Sequence, residues 1–352
     1  MALIIAGDIG GTKTILRLAQ VEFSEGEDRP QCHTLHTERY ASGDFRDLVP
    51  MVQQFLTTAQ GAIALPEPPQ KACFGVAGPV AQGMTQPTNL HWPALSEQRL
   101  KQALGLETVR LINDFLAVGY GVAGLGPEDY YTLQAGEPQT DAPIAILGAG
   151  TGLGEAFVIP TTAGPCAFAT EGGHTDFAPR SPLEFELRQY LLEKHQLDRV
   201  STERVVSGQG IVAIYQFLRD RQVVPESEAI RDVVRTWEQE AGQSAKSVEP
   251  AAAIAQAAQH SEDELCRQAM EMFISAYGAE AGNLALKLLP RGGLYVAGGI
   301  AAKNLPLIRE GGFLEAFCQK GRVSVLLQRV PVHIVLNPEV GLIGAALHGA
   351  LL

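Results

Sequence analysis

Asp8 stands near the end of an apolar run in LIIAGDIGGTKT and is followed at once by Gly10, Gly11 and Thr12. A carboxylate beside such a turn can hold a divalent cation, while backbone N–H groups and the Thr12 hydroxyl take phosphate oxygens. A second turn of the same make-up, Gly148 to Gly154 with Gly150, Thr151 and Gly152 at its centre, interrupts IAILGAGTGLGEAFVI. Glycine lets the main chain approach a ligand closely, so each turn is either a phosphate clamp or a plain hairpin. Their repetition, with Asp8 beside the first, favours nucleotide binding. The first is not a P-loop, because GDIGGTKT lacks the glycine before Lys-Thr, and Lys13 is either near phosphate or a solvated hairpin lysine. The second turn does not satisfy GxGxxG, and strand-like EAFVI follows where a dinucleotide fold needs a helix, which argues against a dehydrogenase.

Asn113 and Asp114 end the segment VRLIND. At the carboxyl end of a strand, where ligands collect in α/β sheets, Asp114 can accept a proton from an alcohol during phosphoryl transfer, with Asn113 holding a substrate hydroxyl. The competing role is capping of the next helix. Glu171, His174 and Asp176 share one glycine-containing loop, TEGGHTDFAP, and Glu203 follows. Carboxylates and imidazole suit sugar hydroxyls, which need acceptors and donors fixed in direction. A metal site is the rival, but EGGH lacks the helical spacing of HExxH. His174 could also serve a turn-stabilising hydrogen bond, and Glu203 could be a helix-start carboxylate.

The elements that position these residues alternate. Residues 3–20 predict a hairpin, 46–65 a helix, KACFGVAGPV a buried strand, and VRLINDF another strand followed by a helical segment. Further helices are expected at 183–195, at about 208–219, and from a capping box near Ser261 to Pro290. GGLYVAGGI reads as a strand and NPEVGLIGAALHGALL as a small-residue helix. Residues 24–32 read as a polar loop, and 223–250 as a charged surface elaboration without strong periodicity. This order implies an α/β protein whose mainly parallel or mixed sheets are covered on both faces.

With 352 residues, 46% of them hydrophobic, the chain can bury a large core in two domains. Its 27 basic and 39 acidic residues give a net charge of −12, which argues against broad nucleic-acid or anionic-lipid surfaces. The five scattered cysteines fit neither a disulfide framework nor zinc spacing and suit a reducing cytoplasm. Asp8 and the glycines break the apolar start short of a signal or membrane segment.

GDIGGTKT, TNLHW, LINDF, GAGTGLG, EGGHTDFAP, ERVVSGQG, NLAL, VAGGI and NPEVGLIGAA, in this order across nearly the whole chain, resemble the bacterial glucokinase family of the actin-like ATPase superfamily. The resemblance implies a two-domain, ribonuclease H-like α/β fold with a cleft between a small domain, 1–112 plus about 338–352, and a large domain, 113–337. It implies transfer of the γ-phosphoryl group of ATP to the 6-hydroxyl of glucose, with Mg²⁺ at Asp8 directly or through water. Asp114 then corresponds to the base, and Asn113, Glu171, His174 and Glu203 to sugar ligands. Asn89 in TNLHW is a further sugar-loop candidate. The GGT and GAGTG turns bracket phosphates, and Gly298 and Gly299 approach the adenosine. Lys13 departs from the Asn of many relatives. A homodimer is also implied. The nearest alternative is a kinase for mannose, fructose or an N-acetylhexosamine. A sugar-sensing repressor would need an N-terminal helix-turn-helix and basic surface, neither of which this sequence offers.

Overall fold

The computed structural model describes residues 2–23, 29–63, 65, 67–87, 90–162, 164–222, 224–242, 247–260 and 263–352. They form two compact units, one of Met1–Tyr130, Ala156–Ala169 and Leu336–Leu352, the other of Tyr131–Glu155 and Thr170–Val335.

In the first unit, β1 (Ala2–Ile9) and β2 (Lys13–Glu22) form the expected hairpin around Gly10–Thr12. β3 (Gln31–Ala41) pairs antiparallel with β2, while β4 (Lys71–Val76) runs parallel to β1. A two-stranded pair, β5 (Met84–Thr85) and β6 (Leu95–Ser96), stands apart, and β7 (Thr108–Asn113) runs parallel to β4. The sheet order is β3-β2-β1-β4-β7. β3 begins inside the segment read as a loop. Its side chains are mostly polar and it is the sheet's edge, so it lacks the apolar run that marks a buried strand.

Consecutive strand residues serve opposite faces, as a period of two requires. Ile5, Leu16, Leu18 and Phe74 pack with Leu48, Val52 and Phe55 of α1 (Leu48–Ala62). Asp47 caps α1 by accepting the Leu48 N–H, and it also pairs with Arg99 of α2 (Glu97–Leu104). Beyond β7 comes α3 (Asp114–Gly121).

A six-stranded sheet has the order β11-β10-β9-β12-β13-β8. Its strands are β8 (Tyr130–Gln134), β9 (Ile144–Ala149), β10 (Leu153–Thr161), β11 (Gly164–Thr170), β12 (Gly293–Ala297) and β13 (Val332–Val335). β12 is parallel to both neighbours. The second glycine turn joins β9 and β10, as expected. α4 (Pro182–His195) and α5 (Gly208–Asp220) match their expected spans. α6 (Glu228–Gln239) corrects the reading of 223–250 as a surface elaboration without strong periodicity, and α7 (Pro250–Gln259) follows it. Ile230 and Val234 of α6, one turn apart, are buried, and Trp237 packs on the same core. Their two-residue stripe is hidden among charges, which is why the segment read as irregular.

α8 (Glu264–Leu288) is the long helix, and its central positions are buried around much of its circumference. Asp263, accepting the Cys266 N–H at 2.9 Å, caps it. The expected cap Ser261 lies outside the described residues. Leu289 adopts a left-handed conformation (φ 47°) just before Pro290, ending the helix where the proline predicted. α9 (Gly299–Lys303), α10 (Leu305–Ile308), α11 (Gly312–Cys318) and α12 (Ser324–Leu327) follow.

The chain then returns to the first unit through α13 (Val340–Ala350). Leu342, Ala345 and Ala346 cover the second face of the first sheet, against Ile4, Ala6, Cys73 and Ile112. Arg17 of β2 pairs with Glu339, and the Leu336 N–H donates to the Asp129 carbonyl at 2.7 Å. α13 lies so close to α3 that a Cβ on Gly344 would overlap the Ala117 carbonyl, whereas one on Gly341 would meet only Val118 at 3.7 Å. Gly344→Val should therefore destabilise the protein by roughly 1–3 kcal/mol or more through overpacking. Gly341→Ala should be neutral or stabilising, because alanine is the better helix former; denaturant unfolding of the two variants distinguishes these outcomes.

Candidate active site

In the first unit, the Gly10 N–H donates to the Lys13 carbonyl at 3.1 Å and closes the turn. Ser42 braces it from beneath: its N–H donates to the Thr12 carbonyl at 3.0 Å and its hydroxyl to the Gly10 carbonyl at 2.8 Å. Ser42 also shares a 2.9 Å hydrogen bond with the buried Thr14 hydroxyl. Thr12 and Lys13 face solvent at the tip.

Asp8 sits opposite Gly75 of β4, which in turn sits opposite Ile112 of β7. A Cβ on Gly75 would come within 3.2 Å of the Ala117 Cβ and 3.9 Å of the Asp114 Cα, so glycine here lets the start of α3 approach the sheet. Burial raises the Asp8 carboxyl above its ordinary range, against the pull of Lys13. Asp114 is pushed up to about 6, chiefly by burial and further by the like charge of Asp8, with the Phe115 N–H opposing the rise.

Both readings of the Asn-Asp pair have a place. Asn113 is the cap of α3: its Oδ1 accepts from the Phe115 and Leu116 N–H groups at 2.9 and 3.1 Å. Its Nδ2 donates to the Gly78 carbonyl at 3.1 Å, which fixes the amide's direction and leaves a second hydrogen on the same nitrogen. Asp114 is the first helical residue, with Oδ1 accepting the Phe115 N–H at 3.0 Å. The cap thus holds the carboxylate's backbone still.

In the second unit, the Gly150 N–H donates to the Gly152 carbonyl, and the Gly208 N–H donates to the Gly150 carbonyl, each at 2.8 Å. The start of α5, capped by Ser207, is thereby tied to the turn that contains Thr151. Glu203 reaches the same turn: its Oε2 accepts the Leu153 N–H at 3.0 Å, and a Cβ on Gly152 would collide with its carboxylate. Glu171 precedes and His174 ends a short 3-10 turn, Gly172–His174, with their carboxylate and imidazole 3.9 Å apart and exposed. The loop is fastened to the strand-like segment before Glu203. The Thr202 N–H donates to the Thr175 carbonyl at 2.8 Å, the Phe177 N–H to the Val200 carbonyl at 2.9 Å, and Arg199 to the His174 carbonyl at 2.8 Å. Asp176 pairs with Arg199.

Gly298 (φ 89°) and Gly299 end β12 and open α9. A Cβ on Gly298 would press on the Ala149 carbonyl at 2.8 Å, so the VAGG and GAGTG turns are in contact. Tyr277 of α8, fully buried, ties them together: its hydroxyl accepts the Ala149 N–H at 2.9 Å and reaches the Ala297 carbonyl at 3.5 Å.

The structure thus gathers Asp8, Gly10, Gly11, Thr12, Asn113 and Asp114 in one unit. Gly150, Thr151, Gly152, Glu171, His174, Glu203, Gly298 and Gly299 are gathered in the other. Asn89 lies outside the described residues. Ser42 and Tyr277 were not foreseen. Ser42 carries no local signal, whereas a tyrosine on a buried helix face demands a partner for its hydroxyl and could have been suspected.

The fold, with these paired glycine turns and strand-end carboxylates, is that of the actin-like two-domain sugar kinases. The glucokinase family profile matches residues 5–351. A glucokinase of Trichormus variabilis is 59% identical over the whole of both chains. Among solved structures, a glucokinase from an Antarctic psychrotroph shares 29% identity with a TM-score of 0.82, covering 99% of each chain. A ROK family glucokinase from Streptomyces griseus, solved with glucose and AMPPNP, shares the fold at 20% identity and a TM-score of 0.62, again covering 99% of each. The chain belongs to the glucokinase family.

Tyr277→Phe should cost about 1–3 kcal/mol of stability, because the Ala149 N–H loses its partner in a buried place. The KM for ATP should rise by more than the KM for glucose, and steady-state kinetics with each substrate varied in turn checks this split.

Proposed function

We propose that this chain transfers the γ-phosphoryl group of ATP to the 6-hydroxyl of glucose, with Asp114 as general base. Family membership carries the reaction, and the placement of Asp114 carries the mechanism. As the glucose oxygen bonds to the γ-phosphorus, its proton passes to the Asp114 carboxylate, and the bond to the β,γ-bridging oxygen breaks to release ADP. Asp114 suits this task because burial and Asp8 bring its proton affinity close to neutrality while the Phe115 N–H keeps one oxygen oriented. Such base catalysis contributes about 10²–10⁴-fold, and the rest of the barrier is lowered by positioning and charge stabilisation.

Asn113, Glu171, His174 and Glu203 are the proposed sugar ligands. In the arrangement described, Glu203 holds the Leu153 amide, so one carboxylate couples the sugar side to the phosphate turn. The glycine turns at Gly10–Thr12 and Gly150–Gly152 supply the proposed phosphate contacts, and Gly298 and Gly299 the adenosine side.

Asp8 is the residue that would hold Mg²⁺. A buried carboxylate next to another fits a hard divalent cation, which takes one or two protein carboxylates and fills its other positions with water and phosphate oxygens. Among the described residues there is no cluster of three or more potential metal ligands, which is consistent with that sparse donor set. When bound, Mg²⁺ neutralises charge on the phosphates. The reading includes a homodimer, on the family resemblance, and residence in the cytoplasm, which fits five unpaired cysteines. Among the described residues no helix is long and apolar enough to cross a membrane.

ADP release with Mg-ATP, measured in parallel with no sugar, glucose, mannose, fructose and N-acetylglucosamine, tests the reaction: glucose should give selective turnover, and preference for another sugar would move the assignment to that hexose. Asp114→Asn should retain glucose binding and lose about 10²–10⁴-fold in kcat; near-normal turnover would remove Asp114 as base. Because the base must be ionised and its affinity for a proton is raised, kcat should fall as the pH drops through about 6. The Asn variant's residual rate should lack that limb.

A further inference from the structure

Glu155 follows the second glycine turn on β10 and is only 2% exposed. Its Oε1 has no hydrogen-bond partner, and a Cβ on Gly172 would overlap its Oε2. Gly172 lies between Glu171 and His174, so the carboxyl sits directly beneath the turn that presents them. Thr170 fastens the same place, its hydroxyl donating to the Glu155 carbonyl at 3.2 Å and accepting the Gly172 N–H at 3.1 Å. An unpaired buried carboxyl is costly, and an apolar side chain would fill the space without that cost.

We infer that Glu155 is a positioning residue for sugar binding: its carboxyl is the floor that sets the height of Gly172 and thereby the directions of Glu171 and His174. The inference rests on the reading of those two residues as sugar ligands. The titratable groups acting on the floor from the helix behind it are Glu280, Lys287 and Tyr277 of α8. Burial, reinforced by Glu280 and opposed by Lys287, raises Glu155 to about 7. Protonated, the carboxyl stays in place with one oxygen unpaired. Ionised, it must gain hydrogen bonds or water, and the cover that yields is a three-residue turn rather than a 25-residue packed helix. The sign follows from the raised affinity: the floor is firm at low pH and is lost as the pH rises through about 7.

The experiment is the pH dependence of the glucose KM between about pH 6 and 8, at saturating ATP, for the native protein, Glu155→Gln and Glu280→Gln. If only the protonated form presents the sugar ligands, the competent fraction falls about tenfold over this range and the glucose KM rises by up to about tenfold. The KM for ATP should stay level. Glu155→Gln, neutral at every pH, should hold the low-pH KM throughout. Glu280→Gln, lacking the like charge, should move the rise to lower pH. Amide exchange across 171–175, corrected for the intrinsic rate and measured without sugar, should quicken over the same range in the native protein and not in Glu155→Gln. A native KM and exchange that are both level with pH, or a rise that persists in Glu155→Gln, overturns the role of Glu155. Absence of any glucose turnover would instead refute the parent reading, and the exchange measurement would still decide whether Glu155 holds the loop.

Discussion

Asp8 and Asp114 are like charges near enough to act on one another, and Gly75 of β4 stands opposite the first and against the backbone of the second. Burial favours the neutral form of each, and the charge of Asp8 adds to this at Asp114, whereas the proposed roles of cation ligand and base require carboxylates. Much of the first unit can be understood as the means of holding this unfavourable pair in place. Gly75 allows α3 to approach, the Asn113 cap fixes where α3 begins, and Ser42 fixes the turn that follows Asp8. In the proposed reading, a cation and the phosphates it accompanies would relieve the repulsion, so the site would be complementary to a charge it does not itself contain.

The second unit solves a different problem, that of holding several glycine-rich turns in register. Glycine permits the close approaches but stiffens nothing, so order comes from side chains behind the turns. Glu203 holds the Leu153 amide, and Tyr277 spans the ends of β9 and β12 where each leaves the ladder. Fastening the EGGH loop to residues 199–202 places His174 and Glu203 in one rigid patch. The glycines are thus exposed on one side and supported on the other.

Much of this was legible in the chain because the informative residues are special in type and ordered in sequence. Apolar runs ending in Asp8, in Asn113 and before Gly150 marked the strands correctly, and Pro290 marked the end of α8. The ordered motifs carried the fold and the family, which periodicity alone does not distinguish. What escaped had physical reasons. β3 is a polar edge strand, and α6 buries a stripe too narrow to stand out among charges. Asn113 caps α3, one of the two roles its position offered, and the sequence alone could not choose between them. Glu155 was invisible as a constraint because nothing local reveals that its side chain ends beneath Gly172, a pairing made only when β10 and the EGGH loop come together.

The return of α13 to the first unit has a consequence for synthesis. One face of the first sheet, formed by Ile4, Ala6, Ala19 and Cys73, packs against Ala117 of α3 and against residues 342–347, which arrive late, and Arg17 waits for Glu339. During translation the opening hairpin and its parallel strands therefore emerge with an apolar face uncovered, while the intervening second unit, whose core draws on no residue beyond 335, can fold first. The sheet that precedes the second unit in the chain is thus completed by a helix that follows it.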